Sequence, residues 1–393
     1  MARRAKHQPV VLFSAKHQMT RRLVIHAGTH KTASTYIQER LHKNRALLSE
    51  QNYIYQYPSE NVTTFKVLVR DICNERWRKF KNYIDQNSKT DKHLLISAEQ
   101  FAVPLNHTNT FKKIADIAAK KGYDLQIVIF IRSQLDYINS RYAYSLRRFY
   151  HHLTFNEFLE NIKQGKLAGD SQQRGFIVKR DHVFDFWTHF GPLLKASKKA
   201  GIKTTFLPFK QNRQDPFDQF LEAIGLSAEL NWAPCSHRYY NQSPGIRGVW
   251  LSRLLSERLK NEGIDHRNIE GSSKIILKEE LWRGWKDQPF WGFNKHLAKS
   301  TYKFFEKNNE LFAQRVWESP WSHNFPNDPE LIQRKRCIYR PESIYEEMKM
   351  HKIADQLVRR ISHQIKPKPW YFLTDRIERV ASRIHPNLAP TGG

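Results

Sequence analysis

The chain has 393 residues, 40% hydrophobic and 13% aromatic, which is ample material for a buried core and gives no basis for wholesale disorder. Its 65 Lys and Arg against 38 Asp and Glu leave a formal charge of +27, so its partners are anionic: a nucleotide, an acidic polymer, nucleic acid or a membrane surface. The longest apolar runs, such as residues 127–131, fall far short of the roughly 20 residues of a membrane-spanning helix.

In chain order, residues 1–21 carry Arg3, Arg4, Lys6, Lys16 and Arg21 without an acid, and their apolar stretch 10–13 is too short for a signal-peptide core, so they read as a basic leader. Leu23-Val24-Ile25-His26 is a short apolar run ending at Gly28, and residues 35–41 resume apolar residues at helical spacing, which predicts strand, loop, helix. Residues 62–87 read as a helix and 93–98 as a strand. Residues 108–121 read as a helix closed by Gly122, and 125–132 as a buried strand rich in β-branched residues. Residues 134–148 return to helical spacing; 204–208 read as a strand, 216–224 as a helix ending at Gly225, and 245–260 as a long helix. From about Ile264 the chain is rich in Trp, Lys and Asn, without strand rhythm, and predicts helices and loops. Strands alternating with helices predict an α/β fold, a central parallel sheet flanked by helices, with a helical C-terminal part. The expected organisation is a leader to residue 21, a main domain over 22–330 and a basic helical extension over 331–393.

Gly28-Thr29-His30-Lys31-Thr32-Ala33-Ser34-Thr35 sits where a strand hands over to a helix, a place where backbone N–H groups and the helix dipole converge on an anion. Lys31 and the hydroxyls add donors. The loop is not a Walker A sequence, because GxxxxGK[ST] requires glycines where Ile25 and His30 stand. Read alone, it is either an anion cradle or an ordinary helix start. The run from His26 to Gln38 resembles the 5'-phosphosulfate loop of sulfotransferases that use PAPS (3'-phosphoadenosine 5'-phosphosulfate), particularly their bacterial and glycan-modifying branches, with Ala33 where the pattern has glycine. Arg132, after the buried strand, and Ser140, eight residues later, resemble that family's 3'-phosphate segment. Glu99, in Ser97-Ala98-Glu99, resembles its S-x-E segment, in which a glutamate is the general base. Arg238-Tyr239-Tyr240-Asn241-Gln242-Ser243 is a weaker echo of an N-x-S segment, or a helix cap.

The resemblance implies a P-loop-like sulfotransferase fold and PAPS as donor substrate without a metal. Gly28, Thr29, Lys31, Thr32, Ala33, Ser34, Thr35, Arg132 and Ser140 would bind the donor, Lys31 would steady the leaving phosphate, and Glu99 would take the acceptor proton, with His30 as the rival base. Basic and aromatic residues interleave over 147–199, among them Arg147, Arg148, Phe149, Tyr150, Arg174, Lys179, Arg180 and Trp187. They suit a sugar polymer that carries negative charge, although the same mixture serves single-stranded nucleic acid, the less favoured partner, or simply forms solvated helix faces; the expected acceptor is a glycan or glycolipid. Trp370-Tyr371-Phe372 followed by Arg376, Arg379 and Arg383 reads as a basic amphipathic helix that rests on an anionic membrane or packs on the core. Cys73, Cys235 and Cys337 form no zinc or disulfide pattern and suit a cytoplasmic setting. The competing expectations are a phosphotransferase or NTPase on the same loop, which would need a magnesium ligand at another strand end, and a non-catalytic protein that binds nucleic acid or anionic surfaces.

Overall fold

The computed structural model describes residues 21–60, 62–167, 182–209, 214–235 and 243–365. The leader, Arg174, Lys179, Arg180, residues 238–242 of the N-x-S echo and the C-terminal amphipathic segment lie outside them. In order, the elements are β1 (Arg21–Gly28), α1 (Ser34–Lys43), α2 (Arg45–Glu50), β2 (Tyr53–Ile54), α3 (Lys66–Cys73), α4 (Arg78–Asn87), β3 (His93–Ser97), α5 (Ala102–Leu105), α6 (Thr108–Ala119) and β4 (Tyr123–Ile131). There follow α7 (Gln134–Arg147), α8 (Phe155–Lys163), α9 (Phe186–Ala200), β5 (Lys203–Pro208), α10 (Pro216–Ile224), α11 (Ile246–Asn261), α12 (Ser272–Trp282), α13 (Lys295–Trp317), α14 (Trp321–Asn324), α15 (Asp328–Gln333) and α16 (Ile344–Gln364). Two compact units share them. One comprises the described residues of 1–133, 174–241 and 305–326, and the other those of 134–173, 242–304 and 327–393. The expected boundary after residue 330 falls within the last of these segments.

The first unit is built on a five-stranded parallel sheet in the order β2-β3-β1-β4-β5. From Leu23 onward β1 is buried at every residue, and β3 and β4 are buried almost throughout. Continuous burial is what a central parallel strand covered on both faces requires, and it explains the unbroken apolar runs. The chain leaves β1 past β3 to reach β2, and leaves β3 past β1 to reach β4. Parallel crossovers are right-handed, so connections running in opposite senses lie on opposite faces of the sheet. The carboxyl ends of β1 and β3 therefore flank a topological switch point, where open α/β sheets place their ligands.

Residues 62–87 form two helices where one continuous helix was expected. Asp71 is buried on α3, and its carboxylate is held by Arg76 and Lys79 at 2.8 and 3.1 Å, while Glu75 adopts φ 58°. The left-handed residue breaks the helix and turns the next turn back to neutralise the buried acid. The strand expected at 125–132 starts two residues earlier, at Tyr123, whose ring lies 4.7 Å from the Arg21 guanidinium. At the C-terminal side of β5, Phe312 packs on Phe206 at 5.1 Å, and Trp317 Nε1 donates to the Phe206 carbonyl at 2.7 Å.

The second unit is helical. Leu251, Leu254, Leu255 and Leu259 of α11 pack with Ile276 of α12 and with Met350, Ile353, Leu357, Val358 and Ile361 of α16. Asn139 of α7 ties in the loop before α13: its Nδ2 donates to the Phe290 carbonyl and its Oδ1 accepts from the Gly292 N–H, each at 2.9 Å. Among the described residues, no helix is long and apolar enough to cross a membrane.

Candidate functional site

Strand register carries Gly28, Glu99 and Arg132 to one edge of the first unit. His26 pairs with Ser97 and Gly28 with Phe130, so Glu99 and Arg132, each two residues beyond its paired position, emerge beside the loop that follows Gly28. The Thr29 N–H donates to the Phe130 carbonyl at 3.4 Å and Thr29 Oγ1 to the same oxygen at 3.3 Å. Thr32 is fully buried, and its Oγ1 donates to the Thr29 carbonyl at 2.8 Å. These two hydroxyls brace the loop from inside.

Lys31 has φ 69° and Ala33 φ 56°. Left-handed residues interleaved with ordinary ones turn successive backbone N–H groups to one side and make anion-binding concavities. Ala33 is the N-cap of α1 and has no side chain with which to accept from the first-turn N–H groups; no acidic residue lies in that turn. The helix N-terminus thus keeps the partial positive charge that an anion would meet. Ser34 is buried, and its Oγ has no hydrogen-bond partner among the described residues. Thr35 is half-buried in the same turn.

Arg132 is buried, and its Nη1 donates to the Lys31 carbonyl at 2.7 Å, so the guanidinium also holds the loop in shape; its carbon centre lies 5.7 Å from the Phe209 ring. Glu99 opens a 3₁₀ turn directly after β3. Gln38 Nε2 donates to its Oε2 at 3.2 Å and Gln100 Nε2 to its Oε1 at 2.9 Å. Lys66 Nζ lies 3.7 Å and His30 Nδ1 3.8 Å from the same Oε1. Gly28, Thr29, His30, Lys31, Thr32, Ala33, Ser34, Thr35, Glu99 and Arg132 all belong to this unit, whereas Ser140 is buried in α7 of the second.

Beneath the loop, His26 is fully buried between Phe130 and Phe220, with Nδ1 2.7 Å from Ser97 Oγ. Burial pushes its imidazole down to about 3, so it is a neutral bridge between β1 and β3 rather than a charge. On the outer side of α1, Arg40 donates to the Tyr36 hydroxyl at 2.7 Å and lies 4.3 Å from the Phe217 ring, while Tyr36 donates to Asp215. Burial and the Asp215 carboxylate raise the Tyr36 phenol far above its ordinary value. Asp215 also caps α10 through the Phe217 N–H at 2.7 Å, which clamps α1 and therefore the loop ahead of it.

Three residues of the site carry no local signal in the sequence. Lys66 is one of many lysines, and only the fold of the connection from β2 to β3 brings it to Glu99. Gln38 lies one helical turn past the loop, and Gln100 adjoins the glutamate it binds. No protein-family model matches the chain, and no curated protein or solved structure shows significant similarity to it.

Proposed function

We propose that this chain is a sulfotransferase of P-loop-like fold that takes the sulfuryl group from PAPS to a hydroxyl of a glycan or glycolipid. The observation that carries the reading is the β1 loop: an uncapped helix start, two left-handed residues, Lys31 and a buried unpartnered serine converge where the register also delivers Arg132 and the Glu99–His30 pair. The phosphosulfate sits on the loop, with Lys31 and the α1 N–H groups meeting the charge that develops on the departing 5'-phosphate. Arg132 gives a planar fork of donors to the second phosphate. The acceptor oxygen attacks sulfur in line, its proton passes to the Glu99–His30 pair, and adenosine 3',5'-bisphosphate leaves.

A phosphotransferase would share the loop, but here the two neighbouring strand ends offer a glutamate wrapped in donors and an arginine in place of an exposed magnesium ligand. To test the reading, PAPS labelled in its sulfate is incubated with the chain and with glycan and lipid fractions. Label is expected in one fraction, and Lys31→Ala is expected to reduce the rate at least a hundredfold. Transfer that survives Lys31→Ala unchanged, or no release of label to any acceptor including water, would overturn it.

A further inference from the structure

Within the sulfuryl-transfer reading, on which this inference rests, the surroundings of Glu99 decide which group takes the proton. Its side chain is 12% exposed. Gln38 donates to one oxygen and Gln100 to the other, and Lys66 and His30 both face the latter. Each carboxylate oxygen already accepts one amide hydrogen bond, and the Lys66 ammonium faces one of them, which favours the ionised, weakly basic form of Glu99. His30 stands differently. It lies in the loop itself, next to Lys31, with Nδ1 turned to the carboxylate at 3.8 Å. Catalytic hydrogen bonds are often this loose before a ligand binds and tighten in the complex. An imidazole held at Nδ1 by a carboxylate presents its Nε2 as the proton acceptor, the division of labour that hydrolytic triads use.

We propose that His30 is the general base and that Glu99 is a positioning residue, itself fixed by Gln38, Gln100 and Lys66. Glu99, from the turn after β3, faces the imidazole at 3.8 Å; Lys66 of α3 lies 3.7 Å from the same carboxylate oxygen, and Lys31 adjoins His30 in the chain. In the step, the acceptor O–H gives its proton to His30 Nε2 as its oxygen bonds to sulfur. The bond between sulfur and the bridging phosphate oxygen breaks with its electron pair, and the imidazolium then returns the proton to water.

The test is chemical rescue, read as release of labelled sulfate from PAPS with water as acceptor. His30→Ala and the volume-conserving His30→Gln are expected to lose about a hundredfold or more in kcat while binding adenosine 3',5'-bisphosphate as the parent does, which also verifies their folding. Added imidazole is expected to restore at least tenfold to His30→Ala. Glu99→Ala is expected to lose kcat without loss of nucleotide affinity and to gain nothing from formate. Formate rescue of Glu99→Ala with no imidazole rescue of His30→Ala would overturn the assignment and leave the sulfotransferase reading intact. A parent chain that neither binds the nucleotide nor turns over PAPS would overturn the reading itself.

Discussion

Ala33 concentrates the local chemistry of the site. The sequence shows only an alanine where the resembling loops have glycine; the structure gives that position φ 56° and ψ 17°. Left-handed backbone costs an L-residue roughly 1–2 kcal/mol, part of which glycine would lose again through its freer unfolded chain. Ala33→Gly is therefore expected to raise the unfolding free energy by about 1 kcal/mol in urea titration, with nucleotide binding retained, and Ala33→Val to lower it. A destabilised glycine variant would show that the loop conformation is wrong. His26 and His151 give a second residue-scale expectation. Burial lowers each to about 3, and His151 is further held down by His152 and Arg141. Between that value and the ordinary 6.5 the unfolded chain binds the proton and the folded chain does not. Stability is then full above pH 6.5 and falls as pH drops toward 3, by ~1.4 kcal/mol per pH unit for each imidazole. Denaturation midpoints of the parent and of His26→Asn from pH 7 to 4 check this: the variant's profile is expected to be shallower.

The elements were legible where local chemistry alone shapes them. Helix α10 runs from the Asp215 cap and Pro216 to Gly225 at φ 80°, and cap, first-turn proline and closing glycine can all be read from the sequence. Strands β1 and β4 were legible for a different reason, since double-sided burial forces an unbroken apolar run. Strand β2 has two residues, too few for any period. The break between α3 and α4 was hidden because it depends on a buried Asp71 and the cations that fold back to it. For the site, the loop and the two strand-end residues were visible as types at a spacing, but the donors around Glu99 depend on register and crossover and were not. Gly292 shows the same limit in the second unit. A Cβ placed on it would fall 2.6 Å from the Phe155 ring, and a rigid ring cannot yield by a simple rotation. Gly292→Ala is expected to cost about 1–3 kcal/mol, measured by denaturant unfolding. An unchanged midpoint would contradict the close packing of this loop.

At the scale of the whole molecule, the charge of +27 gives long-range attraction for anions but selects none of them. On the proposed reading, selectivity belongs to the geometry at the carboxyl ends of β1, β3 and β4, where the register brings the loop, Arg132 and Glu99 to one edge. The acceptor was not legible, because no motif decodes the segments that would hold it. General electrostatic attraction weakens steeply and uniformly with salt, whereas a fitted phosphate cradle discriminates between nucleotides at fixed salt. Calorimetric titration with adenosine 3',5'-bisphosphate and with ATP, at physiological ionic strength and with and without magnesium, separates the two most directly. Preferential binding of the bisphosphate without magnesium, weakened at least tenfold by Arg132→Ala, is the predicted result. Preference for magnesium-bound ATP, or bisphosphate binding indifferent to Arg132→Ala, would contradict the assignment of this site to PAPS.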